Sequence, residues 1–212
     1  MIIDAHTHYT TAPLQLQAYR GRQITDLGKP VRAKLQISDE QLERSMDGQF
    51  KRMKESGIDR LLFSPQASAM GHHFGSPLVS RYWTEACNDI IARVAKRWPD
   101  KISPVCQLPQ SPGVGPKEWV DELERCVKDL GFVSCNVNPD VAGGKEPLTP
   151  SVGSEWWYPL WEKMVDLDVP CTIHASASLN PAMHLTNAYY IAHHNSAAVE
   201  LLKSRVFKDF PK

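Results

Sequence analysis

The residues in this chain best suited to chemistry are histidines at the ends of short apolar runs. His6 and His8 stand two apart in the opening stretch MIIDAHTH. If that run is a β-strand, its period of two turns both imidazoles to one face, where two ring nitrogens could grip one ion. Imidazole nitrogen suits zinc and its transition-series neighbours. Alone, a His-x-His pair fits equally well two surface or hydrogen-bonded rings. A third histidine changes that balance, because VPCTIH ends at His174 and is another short apolar run with its histidine at the C-terminal tip. Three imidazoles at two strand tips predict one metal centre. Asp4 shares the face of His6 and His8 by the same period, so it could orient a ligand ring; the simpler role is to cap the following loop.

The elements that must position these groups follow from periodicity. Strand-length apolar runs fall at residues 1–5, 60–64, 102–108, 132–137 and 170–174, each read as apolar on both faces, as buried parallel strands are. Residues 38–56 open with Ser-Asp-Glu-Gln, a capping box, and carry Leu42, Met46, Phe50 and Met53 on one stripe, which predicts an amphipathic helix. Further helices are expected over 83–97, 116–130, 156–167 and 188–204, with Trp156, Trp157 and Trp161 as core anchors. Strands alternating with helices imply βαβ units and a mostly parallel sheet, doubly wound or closed as a (β/α)₈ barrel. The segments 9–36, 110–116 and 139–154 are read as loops. They leave the C-terminal ends of strands, where α/β proteins place their binding residues.

Composition excludes several function classes. The 212 residues carry 24 Lys plus Arg against 24 Asp plus Glu, so no net charge draws the chain to nucleic acid or an acidic membrane surface. A single domain over 1–212 is expected. Five cysteines, Cys87, Cys106, Cys126, Cys135 and Cys171, show no Cys-x-x-Cys spacing and read as reduced core thiols of a soluble, cytoplasmic protein. No signal-peptide or membrane-length apolar run is present. The glycines of GVG at 113–115 and AGG at 142–144 lack a Gly-x-Gly-x-x-Gly arrangement, so no nucleotide, flavin or nicotinamide cofactor is expected.

Taken together, IDAHTHYTTAP, the His174 strand tip, SPQASAMGHHFG, LPQSPGV, GFVSCNVNPD and FKDFP resemble the amidohydrolase-2 branch of the amidohydrolase superfamily, and within it the 4-oxalomesaconate hydratases. The likeness runs along nearly the whole chain. It implies a (β/α)₈ barrel and a divalent metal, zinc by default with manganese as the alternative, held by His6, His8 and His174. It places the loop after the second strand against a small carboxylic acid substrate, with Gln66, Ser68 and His72 among the contacts, together with Asn180. It also brings Tyr190 into the active site as a hydrogen-bond donor; packing on the barrel is the alternative for a helix-face aromatic. His73, His184, His193 and His194 carry weaker expectations, the last two as exposed helix residues.

Two departures stand out. Where the branch tends to read SPRAS this chain has Gln66, and a second basic position reads Gln36. Arginine is the bidentate partner of a carboxylate, so the losses imply a substrate with fewer or differently placed acidic groups. Three reactions share the metal constellation: hydration of a conjugated double bond, decarboxylation, and hydrolysis of an ester, lactone or amide. The superfamily also takes a histidine from a sixth strand and an acidic residue toward the eighth. Only five strands are counted here, so the expectation is an incomplete barrel completed in cis or by another chain, inactive by itself and prone to associate, with a homo-oligomer expected. An inactive fragment or subunit is the remaining alternative.

Overall fold

A computed structural model describes residues 1–32, 34–66, 71–175, 178–179 and 188–211. Five strands, β1 (Ile3–His8), β2 (Arg60–Ser64), β3 (Ile102–Gln107), β4 (Ser134–Val137) and β5 (Cys171–Ile173), pair in chain order into one sheet. Every pairing is parallel. Parallel neighbours need a crossover, which α2 (Asp39–Ser56), α3 (Pro77–Arg97), α4 (Val120–Lys128) and α5 (Tyr158–Leu167) provide. The capping box at Ser38 forms in full, its hydroxyl accepting from the Gln41 N–H while the Gln41 side chain accepts from the Ser38 N–H. Gly57 ends the same helix at φ +66°, a left-handed position that glycine takes without cost. Past β5, α6 (Ala188–Lys203) and α7 (Val206–Asp209) follow.

The helices cover one face of the sheet. Leu61, Phe63, Ile102, Cys106, Cys135 and Val137 point into it, against Met46, Trp83, Ile91, Leu123 and Leu160. Each such side chain contributes about 1.5–3 kcal/mol by leaving water, so this face carries the main apolar contribution to the fold. Here the structure corrects the reading of strands apolar on both sides. The alternate positions carry Ser64, Gln107, Ser134, Asn136 and Thr172 in line with His6, His8 and His174. The polar face is the one that builds the site.

A second correction lies in residues 9–36, which contain a helix, α1 (Leu14–Thr25). Its start at Pro13 has no side-chain cap, and only Leu16, Tyr19 and Gln23 are buried along it. Neither capping nor an apolar stripe marks it. The Tyr19 hydroxyl donates to the Val31 carbonyl and Gln23 brackets Val31 through both its amide atoms, so tertiary bonds fold the segment back. Helix α3 also begins six residues before its expected start, at Pro77, with proline suited to a first turn. The helices expected at 116 and 156 each open with a short 3₁₀ turn.

Adjacent strands lie about 4.8 Å apart, so the first and fifth strands of a flat sheet would be about 19 Å from one another. The ring nitrogens of His8 and His174, one from each end of the sheet, are 2.9 Å apart. The sheet is therefore strongly curled, with its polar face inside.

Candidate metal centre

The register of β1 against β2 shifts between Asp4 and Thr7, an irregularity of the sort that re-aims side chains beside active sites. Asp4 braces it by accepting from the His6 backbone N–H at 3.1 Å. Its carboxylate thus serves the main chain, while Pro65 and Ser64 orient the His8 ring. Nδ1 of His8 lies 3.0 Å from the Pro65 carbonyl and 2.9 Å from the Ser64 hydroxyl. That hydroxyl donates its own proton to the Thr7 carbonyl, so both groups act as acceptors and Nδ1 must carry the hydrogen. Nε2 keeps its lone pair and faces Nε2 of His174. With His6, one ligand nitrogen from each ring lies within 4.8 Å of the others.

These rings favour the neutral state that a metal requires. Burial lowers the pKa of all three, and the neighbouring rings add to the effect at His8 and His174. His174, the most enclosed, is brought to about 4. The donor set fits a divalent transition ion: nitrogens about 2.0–2.1 Å from a tetrahedral ion stand about 3.3 Å apart. The pair at 2.9 Å needs only to open slightly and the third ring to close.

Neighbouring elements hold the strand tips in place. Gln49 of α2 donates to the His8 carbonyl at 2.9 Å. The His174 N–H continues the ladder to the Val137 carbonyl at 2.7 Å. One residue on, the Ala175 N–H donates to Nε2 of His194 at 3.1 Å. His194 is exposed, as expected, yet its ring reaches back from α6 to the backbone beside a ligand. Two buried carboxamides clamp the other tips. Asn88 of α3 takes both the N–H and the carbonyl of Gln107 and also donates to Glu122 at 2.8 Å. Gln110 does the same for Asn138, while its own carbonyl receives the Ser80 hydroxyl and Nδ1 of His72.

Below the triad lies a small cavity of about 20 Å³ lined by His8, Pro65, His72, Gln107, Asn136, Asn138 and His174. His72 is buried there, and its burial lowers its pKa to about 4. Gln107, Asn136 and Asn138 were not singled out from sequence; their signal is a polar residue at alternate positions of otherwise apolar strands. Gln66 is exposed at the end of β2. Tyr190 sits half-buried in the first turn of α6, hydrogen-bonded to Tyr189 with ring centroids 4.3 Å apart. His73 packs on Phe74. Ser68, Asn180 and His184 lie outside the described residues. A larger cleft of about 880 Å³ opens at the opposite strand ends, against Arg60, Ile102 and Val133, away from the histidines.

The family profile described as Amidohydrolase matches residues 3–212. The chain belongs to the amidohydrolase family. Along its whole length this amidohydrolase is 45% identical, over 217 aligned residues, to 2-keto-4-carboxy-3-hexenedioate hydratase of a Sphingobium species. It superposes on the crystal structure of 4-oxalomesaconate hydratase from Rhodopseudomonas palustris with a TM-score of 0.84 and 39% identity, covering 100% of this chain. A dihydroxybenzoic acid decarboxylase from a Polaromonas species, solved with bound manganese and the inhibitor 2-nitroresorcinol, shares the fold at 22% identity, TM-score 0.70, with 99% of this chain and 62% of that one covered. The curled sheet and these matches decide between the two topologies left open by periodicity, in favour of the barrel. The chain spans 62% and 60% of the length of the two hydratases.

Proposed function

We infer that the chain carries the metal-binding side of a lyase that adds water to an unsaturated keto or hydroxy carboxylic acid of the 4-oxalomesaconate kind, as met in aromatic ring-cleavage catabolism. The observation that carries the reading is the meeting of His6, His8 and His174 at one end of the sheet in a chain 45% identical to a protein named as a hydratase. These three rings would hold the ion, zinc by default. Manganese is the alternative, supported by its presence in the decarboxylase of the same fold. When bound, such an ion polarises a carbonyl or carboxylate oxygen and acidifies water. Gln66, Ser68, His72 and Asn180 would contact the substrate, and Tyr190 would donate a hydrogen bond or proton to it. For that, the Tyr190 hydroxyl must exchange its Tyr189 partner for substrate. The greater length of the relatives leaves room for further barrel units, which we expect in cis or from another chain and which would add the remaining acid–base groups.

Elemental analysis tests the centre directly. Wild-type full chain should carry about one divalent ion, and the His6→Ala, His8→Ala double variant background only. Equal background in both removes the site. Loss of conjugated absorbance on adding 4-oxalomesaconate supports hydration; carbon dioxide release from hydroxybenzoates turns the reading to a decarboxylase, and preference for a lactone or amide turns it to hydrolysis. Gln66→Arg should raise turnover of the more highly charged acids.

A further inference from the structure

Resting on the metal-binding reading, the structure assigns a positioning role to Gly153 and Glu200: they seat α6 at the height from which His194 fastens the backbone beside His174.

The need for such a seat arises at β5. Among the described residues that strand pairs with β4 alone. Its His174 N–H goes to the Val137 carbonyl, but the next N–H, of Ala175, goes to Nε2 of His194 at 3.1 Å. Ala175 is fully buried, so losing that acceptor strands a buried N–H, which is costly. A side chain on a separate helix thus closes the main chain next to a ligand. The place of the ligand then depends on where the helix stands.

Apolar packing does little to set that place. Among the described residues Ala197 is the one buried along α6, and the face of His193, Ser196, Ala197 and Glu200 borders a cavity of about 270 Å³. Firm contact comes at the foot of the helix. There Glu200 Oε2 accepts the Ser151 hydroxyl at 2.8 Å and the Val152 N–H at 3.0 Å. Beside them the Gly153 backbone comes so near that a Cβ on it would stand 2.7 Å from the Glu200 carbonyl oxygen and 2.7 Å from Ser204 Cβ. Gly153 is not among the glycines of positive φ, so space rather than dihedral freedom demands it. The loop under the foot is itself fixed. Val152 and Trp157 are fully buried, and the Trp157 indole N–H donates to the Pro150 carbonyl at 2.9 Å.

His194 lies six residues up the helix from Glu200, about 9 Å along its axis. A methyl at residue 153 must drive the Glu200 carbonyl back by about 0.7 Å to reach the 3.4 Å of ordinary contact. A displacement of that size carried along the helix takes the 3.1 Å bond to Ala175 out of hydrogen-bond range.

Zinc affinity of the full chain, measured by competition with a chromophoric chelator, tests the assignment. His194→Ala, Gly153→Ala and Glu200→Ala should each raise the Kd by about tenfold or more, and Glu200→Gln, which keeps an accepting oxygen, should recover most of the loss. The deciding result is coupling: Gly153→Ala together with His194→Ala should bind no more weakly than either alone, because both break the same bond. Additive losses overturn the proposal, since they would mean that Gly153 acts on the site without passing through His194. A crystal structure of the Gly153→Ala chain gives a second reading without metal, in which the Ala175 nitrogen should stand more than about 3.5 Å from His194 Nε2. A bond kept near 3.1 Å overturns the assignment. If Gly153→Ala does not fold, Glu200→Ala takes its place in both measurements. If the wild type holds no ion, the metal-binding reading fails, and the separation in the crystal alone still decides whether these residues seat the helix.

Discussion

His72 illustrates how a single side chain can be found in sequence while its surroundings stay hidden. The pair His72-His73 is visible, but nothing local reveals that one ring is buried under the site and the other packs outward on Phe74. Its burial has a measurable consequence. With its pKa lowered from 6.5 to about 4 in the fold, the unfolded chain binds a proton between those values that the folded chain refuses. Stability therefore falls as pH drops from about 6.5 toward 4, by up to roughly 3 kcal/mol for this group. Urea titrations of metal-free wild type and His72→Gln at pH 7 and pH 4.5 should show the variant losing less on acidification. Parallel losses would mean that the ring is not buried neutral. The triad, by contrast, was legible from residue type and strand position. Gln107 and Asn136 were hidden, because a lone amide in an apolar run resembles noise until the strand's two faces are told apart.

At the scale of elements, the strands and the helices α2 to α6 were readable wherever periodicity was strong. Helix α1 was not, since bonds from Tyr19 and Gln23 to Val31 hold it rather than any local signal. The same kind of distant bond fixes the strand tips. Asn88 is buried and satisfies the main chain of Gln107 from a helix 19 residues away in sequence. Removing it as Asn88→Ala strands a buried N–H and carbonyl, each such loss costing about 1–3 kcal/mol. We expect a total near 3 kcal/mol. Asn88→Asp should cost more, because a second carboxylate would then face Glu122 at hydrogen-bond distance. Both are read from denaturation midpoints. A change below about 0.5 kcal/mol in Asn88→Ala would show that water replaces the clamp without penalty.

For the molecule as a whole, the open sides of the curled sheet matter most. Among the described residues β5 pairs with β4 alone and β1 with β2 alone. Beside β5 runs an apolar groove of about 470 Å³ bordered by Trp161, Val169, Ile173, Leu201 and Phe210. Leu202 and Phe207 are 75% and 60% exposed nearby. An apolar patch against an unpaired edge favours association. At micromolar concentration the chain should sediment above its monomer mass, and Leu202→Lys with Phe207→Lys should shift it toward monomer. A concentration-independent monomer would remove the expectation. No helix among the described residues is long and apolar enough to cross a membrane. The clamps at the strand tips carry a last implication. Asn88, Gln49 and Gln110 hold the histidine end of the sheet with amides, which neither gain nor lose charge at any pH. The amide clamps are themselves electrically silent, so above about pH 6.5, where His72 is neutral in the folded and the unfolded chain alike, a pH–rate profile of this protein reports the reacting groups themselves rather than a loosening of the scaffold that carries them.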